Sequence, residues 1–317
     1  MLPWLLSGLG LVILLLAGDS LVKGAVNLSL RVGIPALIVS LTIVAFGTSA
    51  PELLIAIEAI LDDAPGIAMG NVVGSNTANI LLVLGIPALL ATMHTSECET
   101  KKTFNYMIGA SVLFIALAFR GVFDWVAGLV LLAALAFVLF DQAKEAMGHR
   151  ADCATPAEGE DDIEGVDPDL PGWRIAIFLI LGLIGLPLGA SLLVENASVI
   201  AKTYGVSDTV IGLTLVAVGT SLPELATTVM AALRRQADVA LGNVIGSNMF
   251  NLLAIMGVAT FVGPVPVDPS FLRFDLWVML GASILLVPFV YMKWDITRTW
   301  GVILSALYAA YIVIVLI

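Results

Sequence analysis

Charged residues and cysteine are scarce in this sequence, and each scarcity excludes a class of protein. Only 12% of the 317 residues are charged, whereas a soluble domain carries roughly 25%, so an ordinary soluble globule is excluded. Two cysteines, Cys98 and Cys153, are too few for a disulfide framework or a cysteine metal cluster, and we expect both to be cytoplasmic and reduced. With 14 Lys and Arg against 25 Asp and Glu, the chain offers no basic surface for nucleic acid.

Long apolar runs fill most of the chain instead. Hydrophobic residues make up 60% of the sequence, the mean hydropathy is +1.05, and a helix crosses a bilayer with about 20 apolar residues. We therefore expect an all-α integral membrane protein with ten transmembrane helices. No basic segment precedes the first run, so a cleavable signal peptide is not expected. The predicted spans are 3–31, 34–61, 66–93, 104–119, 122–141, 173–203, 207–233, 237–263, 273–292 and 297–317.

One long polar segment, residues 143–172, separates the fifth span from the sixth. It is rich in Asp and Glu and cannot bury a core, so we expect a disordered, solvated linker. A calcium-concentrating or sensing role is the weaker alternative. The chain then divides into a five-helix unit at 1–142, the acidic linker at 143–172 and a second five-helix unit at 173–317.

The distribution of Lys and Arg predicts the orientation. If the N-terminus lies outside, the outer side holds only Arg120, Lys202 and Arg273, and Lys23 lies within the first span. All other Lys and Arg residues fall on the inner side, as the positive-inside rule requires. We expect both termini outside, the acidic linker in the cytoplasm, and a location in the cell membrane, the inner membrane in a bacterium.

An internal repeat is the most informative pattern in the sequence. Residues 33–85 align without a gap to residues 205–257. The hexapeptide from Gly47 to Glu52 returns from Gly219 to Glu224, and the segment 70–76 returns as 242–248. Five predicted spans separate equivalent points, an odd number, so the second copy enters the membrane upside down. Inverted repeats of this kind build transporters around a site at the membrane midplane.

Glu52 and Glu224 are the candidate centre of that site. Each lies in mid-span, where a carboxylate costs several kcal/mol unless it is paired, solvated or neutralised. The two spans carry no Lys or Arg at that depth, which indicates that the missing partner is a cation. A protonated glutamate that is merely hydrogen-bonded in the bundle is the alternative for one such residue, and two at equivalent positions argue against it.

The neighbouring residues suit a hard cation, since calcium and sodium take several oxygen ligands. Thr48 and Glu52 share a helical face if the turn stays helical, and Ser75 with Asn79 has the same spacing, repeated by Ser247 and Asn251. Pro51 and Pro223 remove backbone donors, which predicts interrupted helices whose free carbonyls face an ion cavity. We therefore expect broken helices 2, 3, 7 and 8 around the site.

The two copies of the GTS-x-PE and GN-V-[VI]-GSN-x-x-N motifs resemble the alpha repeats of the sodium/calcium exchanger branch of the calcium/cation antiporter superfamily. Its compact prokaryotic members are the most similar in layout. The resemblance implies a secondary-active antiporter rather than an enzyme, working by alternating access as the first and sixth helices slide across the rest. It implies calcium and sodium as transported ions, no cofactor, no obligatory protein partner and the lipid bilayer as surroundings.

The resemblance also implies a role for each ligand. Calcium would bind between Glu52, Glu224 and the carbonyls of Thr48 and Thr220. The implied sodium ligands are Ser49, Ser75, the Ala45 carbonyl and Glu52 on one side, and Ser221, Ser247, the Ala217 carbonyl and Glu224 on the other. Asn79 and Asn251 would complete the ring of central polar groups.

Because Asn79 and Asn251 are neutral, only two carboxylates remain at the centre. In the potassium-dependent subfamily an acidic residue at this position is linked to potassium use, so its absence argues against potassium cotransport. One calcium would neutralise the pair, and three sodium ions would leave one positive charge, so exchange at that ratio is electrogenic.

A calcium/proton exchanger is the alternative, since the same glutamates could carry protons. A cation channel and a transport-dead sensor are further alternatives. Outside the site, Asp19 and Lys23 are expected to neutralise each other.

Overall fold

The structure is a computed structural model that describes residues 2–98, 100–152, 167, 170–205 and 217–316. Ten principal helices account for most of these residues. Their bounds are α1 Leu2–Val32, α2 Ala36–Leu61, α3 Pro65–Leu90, α4 Lys101–Ala118, α5 Trp125–Asp152, α6 Gly172–Thr203, α7 Leu222–Leu233, α8 Ala237–Val262, α9 Asp275–Tyr291 and α10 Arg298–Leu316.

Seven of the helices in the described part of the chain are long and apolar enough to cross a membrane: α1, α2, α3, α5, α6, α8 and α10. The three other predicted spans correspond to α4, α7 and α9, of which α7 and α9 are shorter apolar helices. The predicted seventh span begins at 207, and its first ten positions, 207–216, lie outside the described residues. The chain is thus a multi-pass helical membrane protein, and the count of ten spans stays a prediction.

Helix α5 differs from the prediction at its end. The expected linker begins at residue 143, but α5 continues to Asp152. The segment from Gln142 to Met147 consists of Gln, Ala, Lys, Glu, Ala and Met, all good helix formers, so the helix continues after the apolar run has ended. Most of the remaining linker lies outside the described residues. Its last part contacts α1, where the Asp167 amide donates to Asn27 Oδ1 at 3.0 Å.

Short elements complete the described fold. A 3₁₀ turn spans Thr95–Glu97, a helical turn Ala217–Gly219 precedes α7, and a short helix Pro269–Arg273 precedes α9. The strands β1 Val122–Phe123 and β2 Val265–Pro266 pair in antiparallel fashion, with Val122 opposite Pro266.

Helices α3 and α8 occupy the centre of the molecule, and most of their side chains are buried. Helices α1, α5, α6 and α10 leave most of theirs facing outward, as apolar helices at a lipid boundary do. Helices α1 and α6 pack against each other along their length. Their backbones approach so closely at Gly189 that a Cβ there would lie 2.8 Å from the Leu14 amide nitrogen.

Candidate functional site

Glu52 and Glu224 occupy equivalent positions just after a break in a helix. Helical bonding is interrupted at Ser49, with φ −86° and ψ 5°, and at Ser221, with φ −85° and ψ 4°. A new helical segment starts after each serine, and the glutamate lies in its first turn. The side chain of Glu52 is 1% exposed and that of Glu224 is 0% exposed, so both carboxylates lie inside the protein.

The sequence determines where each break falls. Pro51 and Pro223 stand at the start of the second segments, and proline has no N–H to donate to the carbonyl four residues earlier. That carbonyl belongs to Gly47 in one copy and to Gly219 in the other. The positive N-terminal end of each new segment also lies beside its own glutamate, which favours a carboxylate at that point.

The carboxylate of Glu224 is held by hydroxyl groups. Ser49 Oγ donates to Glu224 Oε1 at 3.2 Å, and Ser247 Oγ lies 3.5 Å from the same oxygen. Ser49 belongs to the first repeat and Glu224 to the second, so the two halves of the chain meet at this bond. The other carboxylate oxygen of Glu224 is buried, and no described residue forms a hydrogen bond with it.

The carboxylate of Glu52 has no hydrogen-bond donor among the residues that the structure describes. Both of its oxygens are buried and have no partner in the described part of the chain, and its charge is repelled directly by that of Glu224. A buried, unpaired carboxylate is strongly unfavourable. Two such groups side by side are stable only when positive charge is supplied to them, which a bound cation or a proton would do.

Thr48 and Thr220 are both buried one helical turn before the glutamates. Thr48 Oγ1 lies 3.3 Å from the Ala45 carbonyl oxygen, 3.3 Å from Asn243 Oδ1 and 3.4 Å from Ser247 Oγ. The hydroxyl group of Thr48 therefore faces polar atoms of its own helix and of α8.

The Ala45 carbonyl, an expected sodium ligand, already accepts bonds inside α2. The Ser49 amide donates to it at 3.0 Å, and Thr48 Oγ1 lies 3.3 Å away. A carbonyl oxygen has two lone pairs, so an ion can bind there only if one of these bonds is released. The backbone of Ala217 begins the short turn before α7, and its upstream neighbours lie outside the described residues.

The remaining expected ligands are buried, and several of their polar atoms have no hydrogen-bond partner among the described residues. Ser75 and Ser247 are buried on α3 and α8. Ser221 Oγ, Asn79 Oδ1 and both side-chain polar atoms of Asn251 are buried without a hydrogen-bond partner. Unpartnered buried oxygens are rare in proteins and mark places where a ligand, an ion or water completes the bonding.

The two asparagines also lie in π-helical segments, Asn79–Val83 in α3 and Phe250–Ile255 in α8. A π-helical turn inserts one extra residue and turns a side chain away from its regular α-helical direction, and such turns are frequent at functional sites. Helices α3 and α8 are therefore irregular at these asparagines, but the irregularity is a π turn and not the break that the sequence analysis predicted for helices 3 and 8.

The sequence analysis missed Asn71 and Asn243, whose side chains form hydrogen bonds with the main chain of the two glutamates. Asn71 Nδ2 donates to the main-chain carbonyl of Glu52 at 3.2 Å, and Asn243 Nδ2 donates to that of Glu224 at 3.3 Å. Asn243 also donates to Thr228 Oγ1 at 3.1 Å, for which the first repeat has only Ala56. The signal was available, since both asparagines belong to the duplicated GN motif.

A third missed residue, Asn248, joins the two central helices. Asn79 Nδ2 donates to Asn248 Oδ1 at 3.1 Å, and Asn248 Nδ2 lies 3.3 Å from the Asn76 carbonyl oxygen. These bonds fix α3 against α8 beside the site.

Three comparisons with known proteins bear on this arrangement. The family model described as sodium/calcium exchanger protein matches residues 2–143 and 174–317. The chain is 37% identical to the sodium/calcium exchanger MaX1 of Methanosarcina acetivorans, over 96% of both chains. It is 34% identical to the inner membrane protein YrbG of Escherichia coli, over 87% of this chain and 85% of that protein.

A solved structure is similar in both fold and sequence. The sodium-calcium exchanger NCX_Mj, after soaking with zero Na+ and Ca2+, superimposes with a TM-score of 0.84 at 31% identity and covers 99% of each chain. The similarity includes both repeats and the helices between them.

Proposed function

The chain belongs to the sodium/calcium exchanger protein family, and from that premise we propose that it is a secondary-active antiporter that exchanges sodium for calcium by alternating access. Calcium and sodium would bind in turn at one site between Glu52 and Glu224. The protein is a transporter and no catalytic step is proposed for it.

The buried carboxylate pair carries this proposal. Neither glutamate forms an ion pair with a Lys or Arg in the described residues, and both oxygens of Glu52 are without a donor. One Ca2+ supplies the two positive charges that the pair requires and prefers carboxylate, carbonyl and hydroxyl oxygens. The described residues contain no group of three or more His, Cys, Asp or Glu that could hold a metal ion, so hydroxyl and main-chain oxygens have to complete the coordination.

We assign the ligands as the family resemblance implies. Calcium would be held by Glu52, Glu224 and the carbonyls of Thr48 and Thr220. The remaining ligands would serve sodium: Ala45, Ser49 and Ser75 with Glu52, and Ala217, Ser221 and Ser247 with Glu224. Asn79 and Asn251 would contact the centre of the site. The unpartnered oxygens of Ser221, Asn79 and Asn251 support this assignment, because they lack protein donors at the depth of the carboxylates.

The proposed topology has ten spans in two inverted five-helix repeats at 1–142 and 173–317, joined by a cytoplasmic linker, with both termini outside. Matched backbone geometry supports the equivalence of the repeats. Ser49 and Ser221 differ by only 1° in φ and ψ, and Asp63 and Arg235, which are equivalent residues, both have φ of 56°. A non-glycine residue with positive φ is uncommon, so its recurrence at equivalent positions reflects a common fold.

Exchange of about three sodium ions for one calcium would move one net charge, which is worth about 2.3 kcal/mol per 100 mV. Transport would then respond to the membrane potential. The proton-coupled alternative has one observation in its favour, since a proton would also neutralise the unpartnered Glu52. The duplicated hydroxyls at Ser49, Ser75, Ser221 and Ser247 favour sodium, because a proton needs no such set of ligands.

Calcium-45 uptake into sealed proteoliposomes separates these alternatives. We expect calcium uptake into vesicles preloaded with sodium. Because three sodium ions leave for each calcium ion that enters, one net positive charge leaves the vesicle, so uptake should be faster when the inside is made positive and slower when it is made negative. Uptake driven by a proton gradient without sodium would establish the proton alternative. Uptake that needs no counter-ion gradient would establish a channel, and indifference to an imposed potential would exclude the three-to-one ratio.

A further inference from the structure

A charged cluster joins α1 to α7 away from the ion site. Asp19 lies within α1, and Arg234 follows the last residue of α7. Arg234 Nε and Nη2 each lie 2.5 Å from Asp19 Oδ1, while Lys23 lies 3.1 Å from Asp19 Oδ2. The Asp19 and Arg234 side chains are only 21% and 15% exposed. The predicted ion pair between Asp19 and Lys23 is therefore present, but Asp19 also forms a second ion pair, with Arg234 at the end of α7.

Around this ion pair, α1 covers one face of α7. A Cβ at Gly18 would lie 2.9 Å from the Ala226 carbonyl oxygen, and Ala226 is 6% exposed. The equivalent residue in the first repeat is Leu54, which is 61% exposed. Helix α6, the counterpart of α1, packs on the segment Ala50–Leu61 of α2 far less than α1 packs on α7. One repeat is covered at this face and the other is not.

The ion pair has no counterpart in the other half. The residues equivalent to Asp19, Lys23 and Arg234 are Ser191, Glu195 and Asp62. Ser191 Oγ donates to Glu195 Oε1 at 2.6 Å within α6, and neither Asp62 nor Glu195 forms an ion pair with any described residue. The equivalent contact would bring two acids together.

We propose that the Asp19–Arg234 ion pair is a latch that holds α1 on α7 and favours the access state described here over its mirror-related state. The proposal rests on the alternating access proposed above. In a transporter built from inverted repeats, the second state arises when the halves exchange conformations. There α6 would cover Ala50–Leu61 and α1 would leave α7, so the latch would open and Glu195 would approach Asp62.

Both electrostatic changes act in the same direction. Opening the latch leaves two partly buried charges without each other, which is costly, and the mirror contact adds repulsion between carboxylates. Asp62 and Glu195 are exposed, so water weakens that repulsion and the larger contribution comes from Asp19 and Arg234. A bias of this size is expected to shift the two populations by roughly tenfold.

Cysteine accessibility in the full-length protein in sealed vesicles measures these populations. The background is Cys98→Ser/Cys153→Ser, which removes both native cysteines. Leu54→Cys reports the uncovered face and Met230→Cys, on α7 between Ala226 and Arg234, reports the covered face. A membrane-impermeant maleimide is applied from each side. We expect Leu54→Cys to react and Met230→Cys to be protected.

Adding Asp19→Asn or Arg234→Gln should raise labelling of Met230→Cys by roughly tenfold and lower that of Leu54→Cys. The charge exchange Asp19→Arg/Arg234→Asp should restore protection, and it carries the test if a single variant does not fold. Lys23→Gln is the matched control, because its ion pair stays within α1. The double variant Ser191→Asp/Asp62→Arg installs the equivalent ion pair in the other half of the protein. Like Asp19→Asn, it should raise labelling of Met230→Cys and lower labelling of Leu54→Cys.

The latch proposal is wrong if labelling is unchanged in both Asp19→Asn and Arg234→Gln. It is also wrong if the charge exchange Asp19→Arg/Arg234→Asp gives folded protein but does not restore protection of Met230→Cys. Sodium-driven calcium uptake is measured on the same vesicles. If uptake persists while labelling is unchanged, only the latch is wrong. If the unsubstituted protein shows no sodium-driven uptake, the proposed function fails first.

Discussion

Ser49 of the first repeat donates a hydrogen bond to Glu224 of the second at 3.2 Å, but the reciprocal bond is missing. Within residues 2–98, 100–152, 167, 170–205 and 217–316, the hydroxyl group of Ser221, which is equivalent to Ser49, makes no hydrogen bond, and neither carboxylate oxygen of Glu52 accepts one. The two halves of the site therefore differ although their sequences match. Glu224 is held by the protein, whereas Glu52 depends on what else occupies the site.

This difference predicts unequal effects of neutral substitutions on stability. In ion-free buffer, Glu52→Gln removes a buried charge that has no donor, so it should raise the free energy of unfolding by about 2 kcal/mol. Glu224→Gln should gain less, because the carboxylate that it replaces already accepts hydroxyl bonds. Thermal unfolding in detergent measures both, and Glu58→Gln, an exposed acid on the same helix as Glu52, is the control that should change little. Strong destabilisation by Glu52→Gln would contradict the account.

The supporting asparagines should matter in proportion to their hydrogen bonds. Asn71→Ala loses one hydrogen bond, to the Glu52 carbonyl, and should weaken apparent calcium affinity about fivefold. Asn243→Ala loses contacts to Glu224, Thr228 and Thr48 and should weaken it more. Asn196→Ala is the matched control, because Asn196 donates to a main-chain carbonyl in α6 at 2.8 Å away from the site. Equal loss in all three variants would indicate a general effect on folding.

Close packing of α1 on α6 predicts a steric effect at Gly189. Gly189→Ala places a Cβ against backbone atoms of Leu14 and Gly10 at 2.8 and 3.0 Å, which side-chain movement cannot relieve, so we expect a loss of about 1–3 kcal/mol. Gly8→Ala in α1 is the control, because nothing lies within 4 Å of its Cβ position, and alanine favours the helix. Thermal unfolding compares the two. Tolerance of Gly189→Ala at full stability would show that the helices are further apart.

A pH-dependent contribution to stability is expected at Asp295, in the loop between α9 and α10. Burial favours the neutral acid, but hydrogen bonds from Ser96 and from His94 outweigh it and lower the pKa of Asp295. A lowered pKa in the folded state stabilises the fold above the unfolded value of about 3.9, and this stabilisation is lost as the pH falls through the folded value.

Asp295→Asn should therefore cost up to about 1 kcal/mol at neutral pH, and the difference from the unsubstituted protein should shrink below about pH 4. Unfolding measured from pH 7 to pH 3 tests the sign. A difference that grows in acid would mean that the pKa of Asp295 is raised.

The sequence was sufficient to predict two buried glutamates at equivalent positions, because depth in an apolar run and duplication are both readable from residue order; that they form the centre of an ion site stays a prediction. Glu52 and Glu224 lie deep in apolar runs, and Pro51 and Pro223 mark the breaks beside them. The repeat also identified Ser75 and Ser247 as neighbours. Each of these inferences uses short sequence motifs or a comparison of the two motif copies, and none needs a contact between distant segments.

What the sequence could not supply depends on contacts between distant segments. Asp19 has a charged neighbour at Lys23, and nothing in the sequence indicates that Arg234 also reaches it. The partner of Asn71 could not be predicted, since an asparagine in a membrane helix can form hydrogen bonds with many groups on neighbouring helices. The difference between Glu52 and Glu224 was equally hidden, because identical motifs predict identical environments.

The most direct test of the account is equilibrium calcium binding to the purified protein, with sodium as competitor. We expect about one calcium per chain, to match the two central carboxylates, displaced completely as sodium rises and absent in both Glu52→Gln and Glu224→Gln. Calcium binding that survives in either folded variant, or that sodium does not displace, would contradict a single site shared by the two ions.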